Sequence, residues 1–295
     1  ILFSCVHCLK KQESGNSERF IEMDFLKPAS VWDLSNIRDA LVRMEDTIIF
    51  NFIERSQFYS SPSVYEPNKF KIPNFNGSFL DYTLLKTEIT HSELRRYEAP
   101  DELSFFKKEL PPKPLLPPIN YPKVLTSYAK EIDVNDQIKD YYINTIVPIV
   151  SAKEGEQSEN LGSCTLCDID CLQSLSRRIH FGRFVAETKF QQETEKFKKL
   201  IRERDIDGLH AAITNQVVED KILVRLIEKG KAYGTDPTLK YSQNIQSKVK
   251  PEALVQIYKD WIIPLTKEVE VQYLLRRLEE PSTFQEALEA EADAN

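Results

Sequence analysis

Two cations eleven residues apart, Arg178 and Lys189, lie in the stretch 171–190, CLQSLSRRIHFGRFVAETKF. Read as one amphipathic helix at roughly 100° per residue, that spacing puts them within about 20° of each other on one face, with Cα atoms about 16 Å apart along the axis. Side chains this long lean inward over whatever lies between them, and two cations over one pocket suit a small dianion. Three further pairs have the i,i+4 spacing that makes side chains neighbours on a helix. They are Asn215 with Glu219 in ITNQVVEDKI, Thr266 with Glu270 in PLTKEVEVQYLL, and Arg38 with Val42, where Arg38 borders the apolar stripe of Ile37 and Leu41. Taken singly, each pair also fits an ordinary solvated helix face.

Positioning these residues requires helices, and the chain supplies the periodicity. Leu34, Ile37, Leu41, Met44 and Ile48 follow a 3-4-3-4 rhythm that predicts a helix over 34–57, capped by Asp33 or Ser35. A second is expected from Ser78 to about Tyr97, stopping before Pro100. Residues 98–123 hold seven of the sixteen prolines and read as an extended connector. A helix resumes near Asn135 and should kink at Pro148. After a polar acidic loop at 152–162 come the helix of 171–190, two short ones at 192–203 and 206–213, and another at 215–232. A polar loop at 234–248 leads to a long final helix, Pro251 to Glu280, bent by Pro264. No β alternation appears. The expectation is an all-α, single-domain helical bundle of about ten helices over 23–280, with kinked long helices. Residues 1–22 read as a disordered extension or gene-model artefact, and 281–295 as a frayed acidic tail.

Composition narrows the function. A net charge of -7 argues against sequence-independent nucleic-acid binding, which needs a basic surface. With 8 glycines among 295 residues, a Gly-rich nucleotide loop is disfavoured. No apolar run approaches the roughly 20 residues that cross a bilayer, so no membrane association is expected and a cytoplasmic location is the default. Cys5 and Cys8 form CxxC, and Cys164, Cys167 and Cys171 form CxxCxxxC; with His7 or His180 they could be drawn as a zinc site. Neither cluster closes a four-ligand set alone, so reduced thiols and no metal are expected.

The blocks SNIRDALVRMEDTIIFNFIERS, IPNFNGSFLDY, CLQSLSRRIHFGRFVAETKF and PLTKEVEVQYLLRRLEE closely resemble the eukaryotic, fungal-type chorismate mutases, nearly continuously from Met23 to Glu280. The resemblance implies an all-helical homodimer that rearranges chorismate to prephenate, the branch step toward phenylalanine and tyrosine, without metal or organic cofactor. Carried over by motif, Arg38, Arg178, Lys189 and Glu270 are implied as catalytic and Asn215, Glu219 and Thr266 as substrate-binding, with none of the seven substituted. Chorismate carries two carboxylates. Arg38 and Arg178 suit two-pronged grips on them, Lys189 suits the ether oxygen where negative charge grows, and Glu270 can donate there only if protonated. A non-catalytic helical dimer that kept the fold is the alternative. A secreted member of the family would need a signal ahead of Ile1.

Fungal members bind tryptophan as activator or tyrosine as inhibitor at the dimer interface. By motif, Arg95 and Arg96 in HSELRRYE, together with Asn160, Gly162 and Ser163, occupy effector-binding positions. Leu166 stands where the family pattern has a threonine, and Lys250 replaces the threonine that serves as its allosteric switch. A weakened or altered effector response is the expectation.

Overall fold

Asp33 opens the first long helix by accepting a hydrogen bond from the Ser35 amide at 2.7 Å, as its sequence position predicts. The computed structural model describes residues 23–233 and 248–280, and every regular element among them is helical. A single turn, α1 (Pro28–Val31), precedes α2 (Leu34–Arg55), followed by α3 (Phe79–Glu93), α4 (Asn135–Tyr141), α5 (Val147–Val150) and α6 (Leu161–His180). Then come α7 (Gly182–Gln192), α8 (Thr194–Glu203), α9 (Ile206–Ile213), α10 (Gln216–Tyr233), α11 (Pro251–Ile257) and α12 (Ile263–Leu275). No described helix is long and apolar enough to cross a membrane. The expectations for 1–22, for 281–295 and for most of the 234–248 loop concern residues outside the described set.

The two proline kinks take one form. Between α4 and α5 a π turn spans Tyr142–Ile146, and Pro148 follows two residues later. Between α11 and α12 another spans Tyr258–Ile262, and Pro264 follows at the same offset. A proline removes one N–H and clashes with the carbonyl four residues back; widening the preceding turn makes room for it. Counting each such pair as one bent helix gives ten helices among the described residues.

Three expected boundaries move. The helix of 171–190 is two helices: α6 starts ten residues earlier, at Leu161, and stops at His180. Arg183 Nε donates to the His180 carbonyl at 2.9 Å, and the Phe184 amide turns to Phe181 O at 3.0 Å instead. A side chain has taken the acceptor that continuation required. Helix α3 opens on a full capping box between Ser78 and Asp81 but ends at Glu93, short of Tyr97. There Arg95 adopts a left-handed φ of 68°, and the proline-rich connector ties in through Leu115 N to Glu93 O at 2.8 Å. The final helix is regular only to Leu275, then tightens to a 3-10 turn at Arg277–Glu279.

Helix α2 packs lengthwise on α6, α7 on α12, and α10 on both α11 and α2. Buried Ile37, Ala40, Ile48 and Phe52 from α2 meet Ile169, Leu172, Leu175 and Ile179 from α6 in one continuous core. Ion pairs pin the layers. Arg55 Nε donates to Asp168 at 2.5 Å, with both side chains fully buried. Tyr142 and Tyr65 hydroxyls also donate to Asp168, at 2.7 and 2.8 Å. Arg225 grips Glu45 with two bonds of 2.8 and 2.6 Å, joining α10 to α2. Arg277 grips Glu187 in the same way at 2.6 and 3.0 Å, with Tyr273 donating to the same carboxylate at 2.7 Å.

Removing one partner of a buried pair strands the other charge, which costs far more than the pair gains over apolar side chains. Asp168→Ala should therefore lower the unfolding free energy by about 3–5 kcal/mol in urea titrations. A loss below about 1 kcal/mol would mean that water or a relaxed loop satisfies Arg55.

Candidate active site

Helix α12 places Thr266 and Glu270 one turn apart on the face that meets α6 and α7. Arg178, in the last turn of α6, is buried, and its Nη1 donates to Thr266 Oγ1 at 3.4 Å. A cation also suits that position because the helix terminus carries partial negative charge. Lys189, on α7, donates to the Ile213 carbonyl at the end of α9 and reaches Glu270 Oε2 at 3.4 Å. Glu219, on α10, pairs with Lys267 Nζ at 2.6 Å. Four helices thus bring Arg178, Lys189, Glu219, Thr266 and Glu270 to one length of α12. The shared-helix reading of Arg178 and Lys189 does not hold, since Phe181 divides α6 from α7. The third element, α12, is what brings them together.

Two of the expected residues stand apart. Asn215 is exposed and caps α10, its Oδ1 accepting from Val218 N at 3.2 Å. It shapes the start of the helix that carries Glu219. Arg38 is exposed in the second turn of α2, where its charge acts on Asp33.

The electrostatics are unusual for a helix surface. Burial pushes the Glu270 carboxyl above its ordinary range; Lys189 opposes most strongly, then Arg178 and Lys267, and burial prevails. Arg178 Nε and the Tyr258 hydroxyl have no partner although they are shielded from water, as do buried polar atoms elsewhere, among them Thr126 Oγ1 and Arg183 Nη2. Tyr258 stands close enough to Arg178 for that charge to oppose the upward push of burial on its phenol. Buried donors without acceptors cost free energy, and a bound anion at Arg178 would supply one. Beside the cluster a cleft of about 490 Å³ is lined by His210, Glu219, Leu223, Lys259, Ile263 and Lys267. Cations in excess of one protonatable acid, in a partly dry site, can hold a small polyanion and stabilise negative charge that develops in it. The sequence does not single out Lys267 or Tyr258. Lys267 is marked only by its pairing with Glu219 of a distant segment; Tyr258 belongs to a π turn, and no periodicity marks it.

The thiols are occupied otherwise. Cys164 and Cys171 are buried and Cys167 half-buried, and burial pushes Cys164 and Cys167 up to about 12 and about 11. His180 is buried and held neutral, pushed down to about 3, with Nε2 accepting from Val134 N at 3.0 Å. Cys5, Cys8 and His7 lie outside the described residues.

The expected effector residues form two separate groups in one chain. Arg96 donates to Gln173 Oε1 at 2.9 Å and pairs with Glu102 at 3.2 Å, beside a cleft of about 340 Å³ that Arg177 and Asp170 also line. Arg95 reaches the Pro117 carbonyl. Asn160 precedes α6, and Gly162 and Ser163 are exposed in its first turn. Ten residues of helix separate Ser163 from Gln173, about 15 Å along the axis.

Residues 162–271 match the family model described as chorismate mutase type II. A chorismate mutase of Pichia angusta is 66% identical over 88% of this chain and 92% of its own length. That of Saccharomyces cerevisiae is 55% identical over 88% of this chain and all of its own. The crystal structure of the Aro7p chorismate mutase from Candida albicans in complex with L-Trp superposes with a TM-score of 0.86 at 60% identity, covering 90% of this chain and 100% of that one. AtCM1 crystallised with tyrosine bound in its allosteric site gives 0.74 at 42% identity, over 83% and 96%.

A guanidinium shielded from water with a single 3.4 Å bond is a liability to the fold alone. Arg178→Met, similar in length and uncharged, should leave the melting temperature unchanged or raise it. A drop of several degrees, about 1 kcal/mol or more, would make Arg178 a structural residue.

Proposed function

The chain belongs to the chorismate mutase family, and from that we propose that Arg178, Lys189, Thr266 and Glu270 form the centre of its active site. The activity is an isomerisation, chorismate to prephenate, in the biosynthesis of phenylalanine and tyrosine. The observation that carries the site assignment is the convergence of a buried carboxyl and two cations on one stretch of α12, next to donors that lack acceptors.

The reaction breaks an ether C–O bond as a C–C bond forms, within one molecule. It needs no nucleophile and no net proton transfer. What a protein can supply is the folded conformer of the substrate and compensation for the charge growing on the ether oxygen. Arg178, with Nε free and Thr266 beside Nη1, grips one carboxylate. Arg38, exposed on α2, supplies the second grip, folding inward when the dianion arrives. Lys189 and a protonated Glu270 both donate to the ether oxygen. Their 3.4 Å separation without substrate is long for a strong ion pair and leaves both able to turn to that oxygen. Glu219, held by Lys267, takes the ring hydroxyl, and Asn215 fixes the helix that presents it. A gain of about 10⁶ in rate corresponds to about 8 kcal/mol, within reach of two charge-assisted donors and a preorganised conformer.

Regulation follows the same family. We assign Arg95 and Arg96 of one protomer, with Asn160, Gly162 and Ser163 of another, to a site for tryptophan or tyrosine at a homodimer interface. The separation of about 15 Å within one chain supports completion by a second copy. Leu166 is 55% exposed and offers the effector no polar contact. Lys250 begins α11 with no side-chain cap, where a threonine oxygen could have accepted from a free amide. We assign the reaction to the cytoplasm; a tagged chain that pellets with membranes would overturn this.

Glu270 must be protonated to donate, so prephenate formation should fall as pH rises through its raised pKa. Glu270→Gln, a permanent donor, should flatten that decline, and an unchanged profile would remove Glu270 from the mechanism. In the wild-type chain, saturating tryptophan and tyrosine should each change the rate less than about tenfold, about 1.4 kcal/mol of coupling. A stronger response to either would show that Leu166 and Lys250 are no obstacle.

A further inference from the structure

Gly182, the first residue of α7, has no backbone need to be glycine: among the described glycines only Gly155 has a positive φ. What it has is a neighbour. A Cβ built on Gly182 would lie 2.9 Å from the Thr266 carbonyl oxygen, 3.1 Å from Thr266 Cγ2 and 3.2 Å from Glu270 Cγ. Contacts between heavy atoms settle near 3.5–4.0 Å, so all three are too close. The nearest is backbone, which cannot swing aside as a side-chain end can. All three belong to the two α12 residues placed above at the reacting centre.

We propose that Gly182 is a positioning residue whose missing side chain sets the distance between α7 and α12, and so between Lys189 and Glu270. The proposal rests on the assignment of Glu270 as a protonated donor. A methyl group at 182 pushes the Thr266 carbonyl away from α7. That carbonyl accepts from the Glu270 amide in the helical i→i+4 pattern, so Glu270 moves with it. The other end of the helix pair is fixed by the buried Arg277–Glu187–Tyr273 cluster, which holds α7 to the end of α12. The displacement is therefore a splaying at the Gly182 end. It lengthens the Lys189–Glu270 contact and the Arg178–Thr266 contact, both already 3.4 Å.

The charged groups facing Glu270 are Lys189 from α7, Arg178 from α6 and Lys267 on α12 itself, the last paired with Glu219 of α10. All three cations favour the ionised form. Moving Glu270 away from Lys189, the strongest of them, weakens that pull while the carboxyl stays buried. The protonated form then persists to higher pH, but the donor sits further from the ether oxygen.

The test is prephenate formation against pH for the full chain, its Gly182→Ala and Glu270→Gln variants, and the combination of the two. Gly182→Ala should lower kcat about tenfold, with KM changed less, as expected for a donor misplaced by a fraction of an ångström. It should also move the midpoint of the alkaline decline upward by about half a unit, since weaker pairing with a nearby cation raises a carboxyl pKa. In the Glu270→Gln background the midpoint shift should vanish. A loss of kcat with the midpoint in place would reduce Gly182 to a packing residue and overturn the proposal. If instead Glu270→Gln alone leaves the profile unaltered, the assignment of Glu270 fails first. Should Gly182→Ala accumulate unfolded, Gly182→Ala with Thr266→Ser removes the methyl 3.1 Å away and keeps the hydroxyl. Its midpoint, read against Thr266→Ser alone, should shift in the same direction, and no shift would again overturn the proposal.

Discussion

The structure turns on a carboxyl removed from water among three cations. Glu270 cannot ionise cheaply in that setting, because desolvation outweighs Lys189, Arg178 and Lys267 together. Of the cations, Lys267 is paired with Glu219 at 2.6 Å, while Arg178 and Lys189 reach α12 only at 3.4 Å. Each unit by which a pKa is displaced stores about 1.4 kcal/mol between the two protonation states. The arrangement survives only while Glu270 itself stays buried, because water reaching the carboxyl would let it ionise and pair with Lys189.

The buried ion pairs of the frame differ from the contacts of the site in kind. Glu187 accepts four hydrogen bonds, from Arg277 twice, from Tyr273 and from Gln191, and Asp168 accepts from Arg55, Tyr65 and Tyr142. Such saturated clusters hold their elements in one geometry, since removing any member leaves charge unpaired. Around Glu270, by contrast, Arg178 and Lys189 reach their α12 partners only at 3.4 Å, and Arg178 Nε and Tyr258 Oη have none.

Helix positions were legible because apolar periodicity and caps are local signals. Asp33 and Ser78 cap where their spacing says they should, and the two inner prolines bend their helices. The break at Phe181 was not legible, because it depends on Arg183 folding back to the His180 carbonyl, and nothing in SRRIHFGRF marks that choice over a continuous helix. The site shows the same division. Thr266 and Glu270 share a face by spacing alone, and Arg178 and Lys189 both reach α12, but from two helices rather than the one their spacing suggests. Their convergence is tertiary, set by the packing of α6 and α7 on α12. Lys267 was hidden because one more lysine on a charged helix carries no signal until Glu219 of a distant segment meets it.

Helix α6 joins the two proposed sites in one rigid body. Ser163 stands in its first turn and Arg178 in its last, fifteen residues and about 22 Å apart. A ligand at the first turn can alter Arg178 only if α6 moves as a unit or tilts on its neighbours, and α2 packs along its length with Arg55 locked to Asp168. Lys250 acts elsewhere. Helix α11, which it opens, packs against α10, and Gly230 of α10 lies so close that a Cβ would meet Leu254 at 2.9 Å and Pro251 at 3.3 Å. The start of α11 therefore bears on α10, which carries Glu219, and through the bend at Tyr258–Ile262 on α12. Leu166 and Lys250 thus lie on different elements, α6 and the start of α11.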